Sequence, residues 1–556
     1  MDDVLGSAKR SVLRIFCVLI PVFLLTGCPP WPPVESAQYP QGWSDSERTF
    51  FYYTTQGSRL IRREWLLALE RHDSQERFLE DGLKRFGYLP GAQVGVYNPD
   101  KLPIGFAVDR QWIGMTCAAC HTSEVTYGGT TLRVDGAPAG ADMYEFLAKL
   151  DLALRKAADD DATFLRFAQN VLGANNTPAN RVVLREDADP EKGIRAFSAK
   201  FKGFVADSTP TAPLKWGPAR LDAFGMIFNR VASIDLNLPG NSKRPDAPVS
   251  YPFLWSSSWH DFTQWNGAVP NDDNGGLLGR IHRLARNVGQ VLGVFGTVDL
   301  SNPPPYPSSA NLGNLILLEE KASMLTAPEW PATFGIPDAV RVASGASLYQ
   351  TQRCVVCHDL VPKNDQKRFV QVKKVPVSVV RTDDAMTTVS ASRRADSGIL
   401  QGRPLHPLPL FPSRPIGPNE LVTDLLSHVV IGVMFHGLDP AAAATQLPAA
   451  LFDASSVARN YKARPLNGIW ATGPYLHNGS VRTLYQLLLP EAQRQARFFV
   501  GSRNFDPIEV GFANEPGIIA FELDTTLPGN RNTGHPFGTG MSDDDRKSLV
   551  EYLKTL

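Results

Sequence analysis

Two stretches of this chain share one pattern, Cys117-Ala-Ala-Cys120-His121 and Cys354-Val-Val-Cys357-His358. C-x-x-C-H is the spacing that attaches a c-type haem. The two thiols sit on one face of a short turn and add to the porphyrin vinyl groups as thioethers, and the adjacent histidine offers its neutral imidazole to the iron. A zinc half-site with the same spacing needs two further Cys or His ligands. A redox dithiol needs a free, activated thiolate. The chain has six cysteines, and the remaining two, Cys17 and Cys28, lie at the extreme N-terminus. No thiol is left to complete a zinc site or to form a disulfide. Two covalent haems are therefore expected, with Cys117, Cys120, Cys354 and Cys357 as attachment points and His121 and His358 as proximal iron ligands.

The N-terminus predicts export, which c-type haem attachment requires. Lys9, Arg10 and Arg14 form a basic segment, and residues 15–25 form an apolar run too short to span a bilayer comfortably. Leu25-Thr26-Gly27-Cys28 follows and resembles a bacterial lipobox. Residues 1–27 are then a signal peptide and Cys28 the lipidated first residue. Residues 28–40, with Pro29, Pro30, Pro32 and Pro33, form a stiff tether. The other reading is an ordinary signal cut elsewhere, with Cys28 incidental. The expected location is the periplasm, anchored to the inner or outer membrane. Lys plus Arg and Asp plus Glu number 56 each. That balance argues against nucleic acid as a partner.

The elements that must hold these motifs read as helices. With 45 Gly and 44 Pro in 556 residues, much loop is expected. The expected fold is mainly α, with two cytochrome-c-like domains, long loops and little β. The N-terminal domain, with extensions, would cover 41–335 and the C-terminal cytochrome c domain 336–556. Residues 60–71 read as an amphipathic helix. Met143, Phe146, Leu147, Leu150 and Leu154 recur as the buried stripe of another. Gly345, Leu348 and Tyr349 belong to a helix ahead of Cys354. Ser542 caps a final helix whose first turn is Asp543, Asp544 and Asp545, and that helix should pack across Gly345. Pro303 to Pro307 reads as a crossover between halves. Residues 403–415 read as a Pro-rich extended loop.

Several segments resemble a known group. Residues 466–481, from Leu466-Asn467-Gly468 through Tyr475-Leu476-His477-Asn478-Gly479-Ser480-Val481, resemble the second domain of bacterial dihaem cytochrome c peroxidases. Together with Gly534-His535-Pro536-Phe537-Gly538 they are most similar to the dihaem rubber oxygenases. Arg133-Val134-Asp135-Gly136 and Trp216-Gly217-Pro218-Ala219-Arg220 fit the same pattern, and the likeness runs from about Gln111 to the C-terminus. The resemblance implies that His535 is the distal ligand of the second haem, where the peroxidases have a methionine. Met541 is the rival, read here as an apolar residue packing under the final helix. The resemblance also implies that His477 sits near haem propionates between the two rings; a satisfied core or loop histidine is the other reading. A calcium ion between domains is possible by the same analogy, though no ligand set stands out.

The first haem shows no evident distal ligand, which suits an iron that binds dioxygen or hydrogen peroxide. Tyr251 to Trp255, Trp259 with His260, and Trp265 are candidate walls of its pocket or of the gap between the haems, against a reading as plain core. His260 is a candidate acid/base, against a structural role. The catalytic candidates are thus His121, His260, Trp255, Trp265 and His477. Three functions follow: an oxidoreductase activating peroxide or dioxygen at the first haem while the second relays electrons from a redox partner or a small donor; a pure electron carrier; or a haem-based sensor or binding protein. Rubber cleavage itself is not favoured, because a lipid-tethered periplasmic protein does not meet an insoluble extracellular polymer.

Overall fold

The first haem-type turn joins strands of two different sheets in the computed structural model, which describes residues 36–210, 212–271, 277–407, 413–437 and 459–556. Trp112–Met115 lies between Ile61–Arg62 and Phe106–Asp109 in an antiparallel sheet. After the turn, Thr122–Tyr127 pairs antiparallel with Thr130–Asp135, and Ala37–Gln38 adds to the latter in parallel. Gly128 and Gly129 close that hairpin with φ of +57° and +81°. Both values are open to glycine without steric cost, which is why a two-residue Gly-Gly loop suits a hairpin.

The expectation of a mainly α chain is corrected. Helix covers 41 % and strand 15 % of the residues, so the protein is mixed α/β with small sheets. Ser36 to Leu556 form one compact unit, and a pair of separate cytochrome-c-like domains is not what the structure shows. The physical reason lies in the strands. Most are two to four residues long, too short to print an alternating pattern. The segment 60–71 shows the effect. Its helix is only Arg63–Ala68, because Leu60 and Arg63 give their N–H groups to Ile113 and Gln111 of the neighbouring strand.

Other elements follow the sequence closely. Met143–Asp159 is a helix capped by Asp142, and Met143, Phe146, Leu147, Leu150 and Leu154 are all buried. Asp543–Leu553 is capped by Ser542, whose side chain accepts from the Asp545 N–H. It crosses the Ala339–Thr351 helix at Gly345. A Cβ built there would stand 2.1 Å from the Ser548 carbonyl oxygen. Gly345→Val should therefore lower stability by at least about 1–3 kcal/mol, read as a lower urea or thermal midpoint, while a wild-type midpoint would show that the crossing relaxes freely.

Tyr306 of the proline segment is buried and binds His428 Nε2 at 2.6 Å. The 403–415 loop closes on itself through Leu405 N–H to the Arg414 carbonyl, with 408–412 outside the described residues. The signal segment, Cys17, Cys28 and tether residues 28–35 also lie outside them. Among the described residues no helix is long and apolar enough to cross a membrane.

Candidate functional site

Each C-x-x-C-H segment forms a tight 3-10 turn that opens on a cavity. Thr116 Oγ1 caps Cys117–Ala119 by accepting from the Ala118 N–H. The His121 N–H returns to the Cys117 carbonyl at 3.0 Å, and His358 N–H to Cys354 at 2.9 Å. Sulfur pair and imidazole are thereby held on one short loop. Cys117, Cys120 and His121 line a cavity of about 250 Å³. Cys354, Cys357, His358 and His535 line a second of about 460 Å³. All four cysteines are unpaired.

The donor sets fit haem. Burial pushes the Cys117 thiol up to about 11 and Cys120 to about 12. Thiols so protonated are poor redox nucleophiles, which disfavours a free dithiol site. The histidines move the other way: burial pushes His121 down to about 4 and also lowers His358. Burial, with His358 alongside, pushes His535 down to about 3. All three are neutral, the form that binds a metal. His358 Nδ1 donates to the Arg464 carbonyl at 2.7 Å, leaving Nε2 for iron. The His358 and His535 rings face each other with centroids 6.4 Å apart. Two imidazoles sharing one metal at bonds of about 2.0–2.1 Å have about that separation. His535 lies at φ +51° and its N–H donates to the Val380 carbonyl, so its backbone is fixed. Met541 is buried in the apolar cluster under the final helix and is not among the residues lining the second cavity.

The wall between the cavities is shared. Ser250, Tyr251, Phe253, Trp265, Lys462 and Arg464 line both. Trp265 Nε1 donates to the Ser250 carbonyl at 2.8 Å, which fixes the indole. Trp255 stacks on Phe253 with centroids 4.7 Å apart and bonds the Asn467 carbonyl, but lines neither cavity. His260 lines neither either; it is fully buried, and neither ring nitrogen has a hydrogen-bond partner among the described residues. His477 lines the second cavity and stacks on Tyr461 at 4.1 Å. Tyr461 donates to the Asp383 carbonyl, so its oxygen accepts from His477 Nε2 at 2.9 Å. Among the described residues no group of three or more His, Cys, Asp and Glu could hold a metal ion.

Comparison with known proteins bears on part of this chain. Residues 460–499 match the family described as RoxA-like, cytochrome c-like. The protein y4iJ of Sinorhizobium fredii is 30 % identical over 98 % of this chain and 96 % of its own. This chain belongs to the y4iJ family. A second protein of that organism, y4iM, is 26 % identical over 57 % of this chain and 67 % of its own. The cytochrome c-like match implies covalently bound haem and a c-type cytochrome oxidoreductase. It supports the likeness to rubber oxygenase-like cytochromes and does not extend to the dihaem peroxidases. The matched segment begins at the strand Asn460–Ala463. Lys462 and Arg464 in that segment were not singled out from the sequence, where cations read as surface.

Proposed function

We propose that this chain is an exported dihaem oxidoreductase. Cys117, Cys120 and His121 would hold one haem, which would supply activation of dioxygen or peroxide, and Cys354, Cys357, His358 and His535 would hold the other, which would supply storage and relay of an electron. The observation that carries this reading is the asymmetry of the two cavities: a second histidine faces His358, while His121 is the one histidine among the described residues lining the first cavity. When bound, the haems supply the electron transfer and the oxidant activation. The chain's own residues do the rest. Burial keeps the ligating imidazoles neutral, apolar side chains such as Phe224, Ile227, Leu315 and Val430 keep the first cavity dry, and Trp265 and Phe253 stand between the two sites. Export by the N-terminal signal, with a lipid on Cys28, is part of the same proposal, since c-type haem is attached outside the cytoplasm. A periplasmic protein or a small donor would supply electrons.

Met226 lines the first cavity as well, and a His–Met iron there would make the protein an electron carrier. Absorption spectra of the dithionite-reduced protein with and without CO separate the two. CO is expected to shift about half of the haem signal, since only the His121 iron offers a displaceable position. No shift would mean two firmly six-coordinate irons, and the catalytic reading would fall.

A further inference from the structure

Between the two cavities the chain buries positive charge that its own acids do not neutralise. Lys462 is 8 % and Arg464 6 % exposed, and both line both cavities. Lys462 Nζ donates to the Phe262 carbonyl at 3.0 Å. Arg464 donates to the Phe253 carbonyl at 2.7 Å and lies 3.3 Å over the Phe253 ring, while its Nε has no partner among the described residues. Neither cation forms an ion pair among the described residues. Glu319, the carboxylate on the first cavity, is already taken by Arg286, by Asn287 Nδ2 at 3.0 Å and by Ser258 at 2.7 Å. Asp261, the other acid nearby, is half-buried and accepts from the Val372 N–H at 2.9 Å. His260 beside them is buried with both ring nitrogens unpartnered. Two buried cations that no carboxylate pairs directly are costly. An arriving anion removes that cost.

We propose that Lys462 and Arg464 form a two-sided carboxylate clamp that takes one propionate from each haem, so that a single strand sets the spacing and the electrostatics of both rings. This rests on the dihaem reading above. Arg464 then does two separable things. Its carbonyl orients His358, and its guanidinium faces the ring carboxylates. Substitution of the side chain leaves the first function in place.

The test is spectroelectrochemical titration of Lys462→Gln, Arg464→Gln and Arg464→Lys, with haem counted by pyridine haemochrome and Arg497→Gln, at an exposed pair with Asp524, as control. Two haems per chain are expected in every variant, because the thioethers are untouched. Both haem midpoints should fall in each Gln variant, since losing a nearby cation favours the ferric state. They should return most of the way in Arg464→Lys and stay put in Arg497→Gln. A shift confined to one haem, or no shift, overturns the clamp. Should Arg464→Gln not accumulate, Lys462→Gln carries the same test alone. Fewer than two haems in the unmodified protein would overturn the dihaem reading instead, and is read before any variant is made.

Discussion

Replacing His535 with alanine should make the second haem bind CO. In the unmodified protein the reduced signal is expected to respond by about half; in His535→Ala nearly all of it should respond. The His358 and His535 rings stand 6.4 Å apart in the cavity that Cys354 and Cys357 also line. His358 has its Nδ1 occupied by the Arg464 carbonyl and so meets iron only through Nε2. His535 is held from the other side by its backbone bond to Val380 and by Arg494, whose guanidinium donates to the Gly534 carbonyl at 2.8 Å. Truncation removes the donor without moving its support. His535→Met gives the complementary outcome: the iron stays six-coordinate and its midpoint rises, because a thioether favours the ferrous state relative to a second imidazole. A CO response in His535→Ala equal to wild type would remove His535 from the iron. Met541→Leu would then be the next variant, although Met541 lies in the core beneath the Asp543–Leu553 helix rather than at the cavity.

How far such a site could be read in advance depends on how local its cause is. The two attachment turns are purely local, five residues each, and their chemistry stood in the residue types alone. The Gly345 crossing was also legible, because a glycine in a helix ahead of a C-x-x-C-H and an acidic, Ser-capped helix at the end leave few other arrangements. The sheets were not. Ile61–Arg62 and Ala37–Gln38 are strands only because distant partners, Ile113 and Leu132, offer free backbone groups. Two-residue strands carry no period of their own, and the helical spacing around Trp65, Leu66 and Leu69 hid the first of them. The Gly128-Gly129 hairpin was different: its turn signal was present in the residues but was not read. Lys462 and Arg464 were illegible for a third reason. Cations read as surface until a fold buries them, and only the cavities on either side give these two a purpose.

Removing one attachment pair should remove one haem and leave the other. Cys354→Ala with Cys357→Ala is expected to halve the haemochrome yield per chain and to abolish the bis-imidazole low-spin signal. The CO-reactive haem should remain. Cys117→Ala with Cys120→Ala should halve the yield as well, but there the CO response disappears and the low-spin signal stays. The mirrored outcome is what distinguishes two unequal haems from two equivalent ones. Its structural basis is that each thiol pair faces its own cavity, so neither pair can serve the other ring. The two losses should also differ in stability. Cys117 and Cys120 sit between two sheets and against the large N-terminal apolar cluster, where the chain still buries a core without the porphyrin. The second cavity is about 460 Å³, and emptying it strips apolar contacts from Leu484, Leu549 and Leu553, which tie the final helix down. The Cys354/Cys357 variant should therefore unfold at the lower temperature, with protease cutting first near the Asp543–Leu553 helix. Equal haem loss from both variants with an unchanged CO fraction would mean that the irons are alike, and the division of labour between them would have no basis.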